Sequence, residues 1–157
     1  PCCRCRLFPA AWVWHKRRTD FRKFWRQVYN SGIARINLYK KYPESLKLVH
    51  LLPMVFTVGV ALLAVMALVG AGVWAACPQT AMGQWLMALA LAPLVLYSLI
   101  ICIDATRSAR SLRVGVISIA SAFIQLTGYG CGFLSAWWKR CVCGKSEFSA
   151  YEKTFYK

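Results

Sequence analysis

The residues most able to do chemistry are crowded into one short stretch, His15 to Gly32, "HKRRTDFRKFWRQVYNSG". It carries Lys16, Arg17, Arg18, Arg22, Lys23 and Arg26, interleaved with Phe21, Phe24, Trp25 and Tyr29. Cations of this kind bind phosphate, whether in a lipid headgroup, a nucleotide or a nucleic acid. Carboxylate chemistry is scarce by comparison. The acids are Asp20, Glu44, Asp104, Glu147 and Glu152, and none stands in a D-x-D or paired arrangement. The cysteines cluster as "CCRC" at Cys2–Cys5 and "CVC" at Cys141–Cys143, neither of which has the paired C-x2-C spacing of a zinc site. Cys77, Cys102 and Cys131 lie in or beside apolar runs, where a thiol behaves as a small hydrophobe.

What positions the basic stretch is a chain divided sharply by charge. The 157 residues are 59% hydrophobic yet carry a formal net charge of +15. A membrane protein combines the two by keeping its charge outside the spans. From Leu48 to Ile103 there is no Asp, Glu, Lys or Arg, and Val114 to Trp138 is again free of charge. A helix needs about 20 apolar residues to cross the hydrocarbon core. The runs therefore predict an all-α membrane protein: spans over 48–74, 85–103 and 112–138, with a polar tail over 139–157. Pro53 suits a first turn or a kink. Trp85 and Tyr97 are candidate interface anchors, as are Trp137 and Trp138, which precede Lys139 and Arg140 like a membrane boundary. Gly128, Gly132 and Ala136 recur every four residues, the spacing that lets helices approach closely. Gln125, Thr127 and Tyr129 beside them admit two readings, a packed polar group or a contact to a lipid-linked substrate. His50, at the start of an apolar helix, reads as interfacial.

The basic segments before residue 48 and over Asp104–Arg113 are expected in the cytoplasm, and the neutral Cys77–Gln84 loop outside. Three full spans then place the tail outside, against the rule, because the tail adds five basic and two acidic residues. A re-entrant third segment would remove the conflict; three full spans are the expectation adopted.

Residues 19–43 predict an amphipathic interfacial helix, with Thr19 as N-cap and Asp20 in the first turn. Phe21, Phe24, Trp25, Val28, Gly32, Ile36 and Tyr39 share one face, and Ile33 and Leu38 fall at its edges. Arg22, Lys23, Arg26, Asn30, Lys40 and Lys41 lie opposite, and Pro43 ends the helix. A basic helix with Phe and Trp on its other face, leading straight into a span, lies in the membrane interface, so lipids and not nucleic acid are the expected partner. Ala11–His15 reads as a short strand without a sheet, which points to an upstream domain and to a chain that is a fragment.

The run "VWHKRRTDFRKFWRQVYNSGIARINLYKKYPESLKLVHLLPMVFTVG" resembles the junction of membrane-bound family 2 glycosyltransferases of Bacteroides-like bacteria. In these, a cytoplasmic nucleotide-sugar domain ends in a strand with a V-x-H element, followed by a basic helix and spans. "RSLRVGVISIASAFIQLTGYGCGFLSAWWKR" and "GKSEFSAYEKTFYK" resemble the ends of such chains, so the likeness covers about residues 8–157 and leaves "PCCRCRL" outside it. The resemblance implies that residues 1–18 are the end of a GT-A-type catalytic domain, and that His15 helps bind the Mg2+ or Mn2+ holding a sugar-nucleotide diphosphate. Lys16, Arg17 and Arg18 would face that diphosphate. Read without the family, His15 ends a strand at the membrane surface and the three cations meet headgroups. The family's Q-x-x-R-W element is not matched by "FWRQVYN", and its D-x-D and base carboxylate are absent. No catalytic residue is therefore assigned, and the chain alone is expected to be inactive. The implied whole is an inverting glycosyltransferase of the bacterial inner membrane acting on a lipid-linked or glycan acceptor. The competing reading is a small non-catalytic membrane assembly protein. A transporter fits less well, because no span holds an Asp, Glu, Lys or Arg apart from Arg113 at the edge of the third.

Overall fold

A computed structural model of the chain describes residues 20–146. Four helices account for most of them: α1 Phe21–Lys41, α2 Leu52–Ala76, α3 Met82–Ala109 and α4 Leu112–Trp137. Two 3-10 turns, Pro43–Ser45 and Leu48–His50, join α1 to α2, and a π turn, Trp138–Val142, follows α4. Among the described residues there is no strand; the expected strand at Ala11–His15 lies outside them. The described residues are thus all-α, a basic amphipathic helix followed by three helices long and apolar enough to cross a membrane.

Their surfaces are apolar and exposed. Leu48 is 84% exposed, Leu68 73% and Trp85 72%, values a water-facing surface does not sustain over whole helices. Among the described residues, the buried apolar cluster is Ile33, Ile36, Phe133 and Ala136, between α1 and α4, with Tyr29, Leu46, Leu51, Met54 and Tyr129 around it.

α2 begins with Pro53 in its first turn, where the missing N–H costs nothing. The break to α3 is shorter than the neutral loop expected over 77–84. Thr80 N–H and hydroxyl both reach the Cys77 carbonyl at 3.1 and 2.9 Å, and α3 starts at Met82. The basic segment Asp104–Arg113 is mostly helical, not a loop. α3 runs to Ala109, and the turn is Arg110, in the left-handed region at φ 51°, followed by Ser111. α2 and α3 form an antiparallel hairpin, because Gly70 meets Gly83 at one end and Phe56 meets Tyr97 towards the other. Tyr97, expected as an interface anchor, turns its ring inward. It joins Phe56 and Phe123 in a three-ring cluster with centroids 5.2 to 5.7 Å apart, tying α2, α3 and α4 together.

Candidate functional site

The basic helix α1 is docked, and it is docked on α4. Gly32 is the reason it can be. A Cβ there would collide with the Tyr129 carbonyl and lie 2.7 Å from the Phe133 amide nitrogen. The mirror contact is Gly132, whose Cβ would strike the Tyr29 carbonyl. Gly128 sits under Val28 and Trp25. Backbone therefore meets backbone, the use expected of small residues at four-residue spacing. Gly128, Gly132 and Ala136 all lie buried on that face. Their partner, α1, was not legible from the spacing.

The two helices run in the same direction. Trp25 and Val28 lie at Gly128, Ile33 and Ile36 pack with Phe133 and Ala136, and Lys40 Nζ donates to the Arg140 carbonyl at 3.3 Å. That last contact places a cation at the C-terminal end of α4, where carbonyls lack helical partners. Gly130 points the other way. A Cβ on it would meet Thr57 and lie 2.5 Å from the Pro53 carbonyl on α2. Thr57 hydroxyl reaches both the Pro53 carbonyl, at 2.8 Å, and the Leu126 carbonyl, at 3.2 Å. α4 is thus held between α1 on one face and the start of α2 on the other.

Docking shifts the faces of α1 from those the wheel suggests. Ile33, placed at the edge, is 1% exposed and belongs to the core with Ile36. Phe21 and Trp25, placed on the apolar face, remain 46% and 38% exposed, and Phe24 is half-buried. Asn30, assigned to the polar side, is half-buried. The N-cap is also moved by one residue: Asp20 caps α1, accepting from the Arg22 amide at 2.9 Å, and the first turn of α1 contains no acid.

Arg22, Lys23 and Arg26 are all exposed on α1. Lys40 and Lys41 occupy its last turn, where a cation favours the helix dipole. Arg35 lies near enough for its charge to act on His50, with Lys47 beside it, and the Lys47 amide donates to His50 Nδ1 at 3.0 Å. Trp137 and Trp138, expected as anchors, are exposed at 44% and 58%. Phe21 and Trp25 are exposed rings on α1. The arrangement is an amphipathic surface of exposed apolar rings and aliphatic side chains with exposed cations beside them.

His15, Lys16, Arg17 and Arg18 lie outside the described residues. Among the described residues no three His, Cys, Asp or Glu side chains converge. Of the polar residues near the glycines, Gln125 is exposed, Thr127 bonds back to the Phe123 carbonyl within its own helix, and Tyr129 is half-buried against α1. Comparison of the chain with protein-family models, with curated proteins and with solved structures gave no match.

Proposed function

We propose that this chain is the C-terminal membrane part of an inverting family 2 glycosyltransferase in the bacterial inner membrane. In this reading it seats a cytoplasmic nucleotide-sugar domain where a lipid-linked or growing glycan acceptor arrives. The observation that supports it is the docking of α1. A helix that carries Arg22, Lys23 and Arg26 on its outside is fixed to the membrane helices through Gly32 and Gly132. In this reading the docked helix would hold a domain preceding Asp20 beside the membrane helices, which is what the order of catalytic domain, basic helix and spans requires.

The chemistry would lie upstream. A divalent metal and a base carboxylate are needed for inverting transfer, the first to hold the leaving diphosphate and the second to take the acceptor's proton. No such set converges among the described residues. His15, with Lys16, Arg17 and Arg18, would complete the upstream site from its edge. The test is direct. The coding sequence upstream should encode an α/β domain with a D-x-D element. The protein carrying that domain should turn over a sugar nucleotide, and the purified 157-residue chain should not. A start codon and ribosome site immediately before residue 1 would sink the proposal in favour of a non-catalytic assembly protein.

A further inference from the structure

The contacts along α4 follow an unexpected path. Near its start, Gly115 packs against Cys102 and Thr106 of α3. At its middle, Phe123 meets Tyr97 of α3 and Phe56 of α2. Further on, Gly130 meets Pro53 and Thr57 of α2. Near its end, Phe133 and Ala136 share a cluster with Leu46, Leu51 and Met54. The hairpin pairs Phe56 with Tyr97, so residues 51–57 of α2 and 97–106 of α3 form the same end of it, the foot. α4 has 26 residues, a length of about 39 Å, whereas the stretches it meets here rise only about 9 Å along α2 and about 14 Å along α3. At each of these contacts α4 is at the foot, and its end returns to the start of α2 instead of climbing towards Gly70 and Gly83. It crosses the hairpin instead of running along it.

The helix docked on α4 supplies an independent argument. α1 runs beside its second half, with Trp25 and Val28 at Gly128 and Lys40 at Arg140. Were α4 to cross the bilayer, Gly128 would lie near mid-depth. Arg22, Lys23 and Arg26 would be carried into the hydrocarbon with it, and charges there are costly. With the pair lying in the interface, every one of these groups reaches headgroups.

We propose that α2 and α3 alone cross the membrane, and that α1 and α4 form a two-helix layer across the foot of that hairpin, lying in one interface against anionic phospholipid headgroups. Residues 20 and 146 are then on the same side as the Arg110 turn. Charge complementarity names the occupant. Lys47, Arg107, Arg110 and Arg113 lie at the foot by their place in the chain, and a layer of α1 and α4 across it brings the cations of α1 to the same side, whereas Cys77–Ala81 at the far end has no charge. Lysines and arginines concentrated on one side are the expected signature of the cytoplasmic leaflet, whose anionic lipids attract them. The proposal does not depend on the glycosyltransferase reading. It also brings the basic tail to the side that the positive-inside rule prefers.

Native thiols make the test possible. Cys77 is exposed at the far end of the hairpin, and Cys141 and Cys143 are exposed after α4. In intact cells making the full chain, single-site variants would keep only Cys77, only Cys141 and Cys143, or only a thiol introduced by Ser108→Cys. A membrane-impermeant maleimide should label Cys77 and spare the other two sets until the cells are lysed. Labelling of Cys141 and Cys143 together with Cys77 would overturn the proposal. A second readout needs no orientation. A spin label at Gln125→Cys, exposed midway along α4, should sit at interfacial depth in phosphatidylcholine–phosphatidylglycerol vesicles. A label at the bilayer centre would show that α4 crosses. Phosphatidylglycerol should be enriched around the protein several-fold over phosphatidylcholine in mixed vesicles, and equal occupancy would remove the anionic lipid as the partner.

Discussion

At the scale of single residues, the packing turns on glycines whose missing Cβ is occupied by another helix's backbone. Gly132→Ala is the clearest probe, because the added methyl would strike the Tyr29 carbonyl, which cannot step aside as a side-chain tip does. Overpacking of this sort costs about 1–3 kcal/mol. The melting temperature in detergent micelles should fall, and α1 should become more open to protease. Gly59 and Gly72 lie in α2 with nothing within 4 Å of the place a methyl would take. Alanine at either should leave stability unchanged or slightly higher, since alanine favours a helix by up to about 1 kcal/mol over glycine. A loss at Gly59 equal to that at Gly132 would mean that the α1–α4 contact is not what the glycine serves. Thr57 makes a smaller prediction. Its hydroxyl has one proton to share between the Pro53 and Leu126 carbonyls. Thr57→Val keeps the shape and loses the bond, so thermal melting should show a cost of about 0.6 kcal/mol, the average for such bonds between membrane helices.

At the scale of elements, the character of α1 was legible and its partner was not. The run of Phe, Trp and Val at helical spacing, with Arg and Lys opposite, marked an interfacial helix. The terminating Pro43 and the expected cap at Thr19 placed its ends to within two residues, although the residue that caps it is Asp20. A helical wheel assumes one flat environment on each side. Here α1 leaves Phe21 and Trp25 exposed and fits a protein groove along Gly32, Ile33 and Ile36, so the buried face is rotated towards Ile33. The GxxxG-like spacing of α4 likewise announced close packing, yet spacing carries no information on which helix approaches. The outward charges give the element's own prediction. Anionic lipid attraction is about 1 kcal/mol for each Lys or Arg near the surface. Replacing Arg22, Lys23 and Arg26 together by Gln should lower the phosphatidylglycerol enrichment seen by native mass spectrometry of nanodiscs. Raising the salt should blunt the wild-type enrichment in the same direction, because exposed charges are screened within about 10 Å at 0.1 M. Enrichment that survives the triple substitution would remove these three residues from lipid contact.

At the scale of the whole molecule, hydropathy identified each of the long apolar helices described, with ends that differ from the observed ones by a few residues. It could not orient them. Composition counts how apolar a segment is, while direction relative to the bilayer depends on what the segment packs against. α4 shows the difference, since its length permits a crossing and its contacts lie at the foot of the α2–α3 hairpin. The same contacts join the first described helix to the last across the intervening hairpin, and a cross-link can report that closure in the native membrane. A Cβ at Gly128 would lie 2.6 Å from a Val28 methyl, so Val28→Cys with Gly128→Cys removes the crowding methyl as it introduces the second thiol. The two Cβ atoms should then fall near the ~3.5–4.5 Å separation that a disulfide needs. In a background with the native cysteines replaced, mild oxidation of membranes should close the pair. After protease cleavage in the Cys77–Ala81 turn, the two halves should stay together on a gel until a reductant is added. A pair at Arg22→Cys and Gln125→Cys, both exposed, offers the comparison and should close more slowly. Fragments that separate without reductant would mean that α1 leaves α4 in the bilayer, and the charged layer at the foot of the hairpin would have to be built from α1 alone.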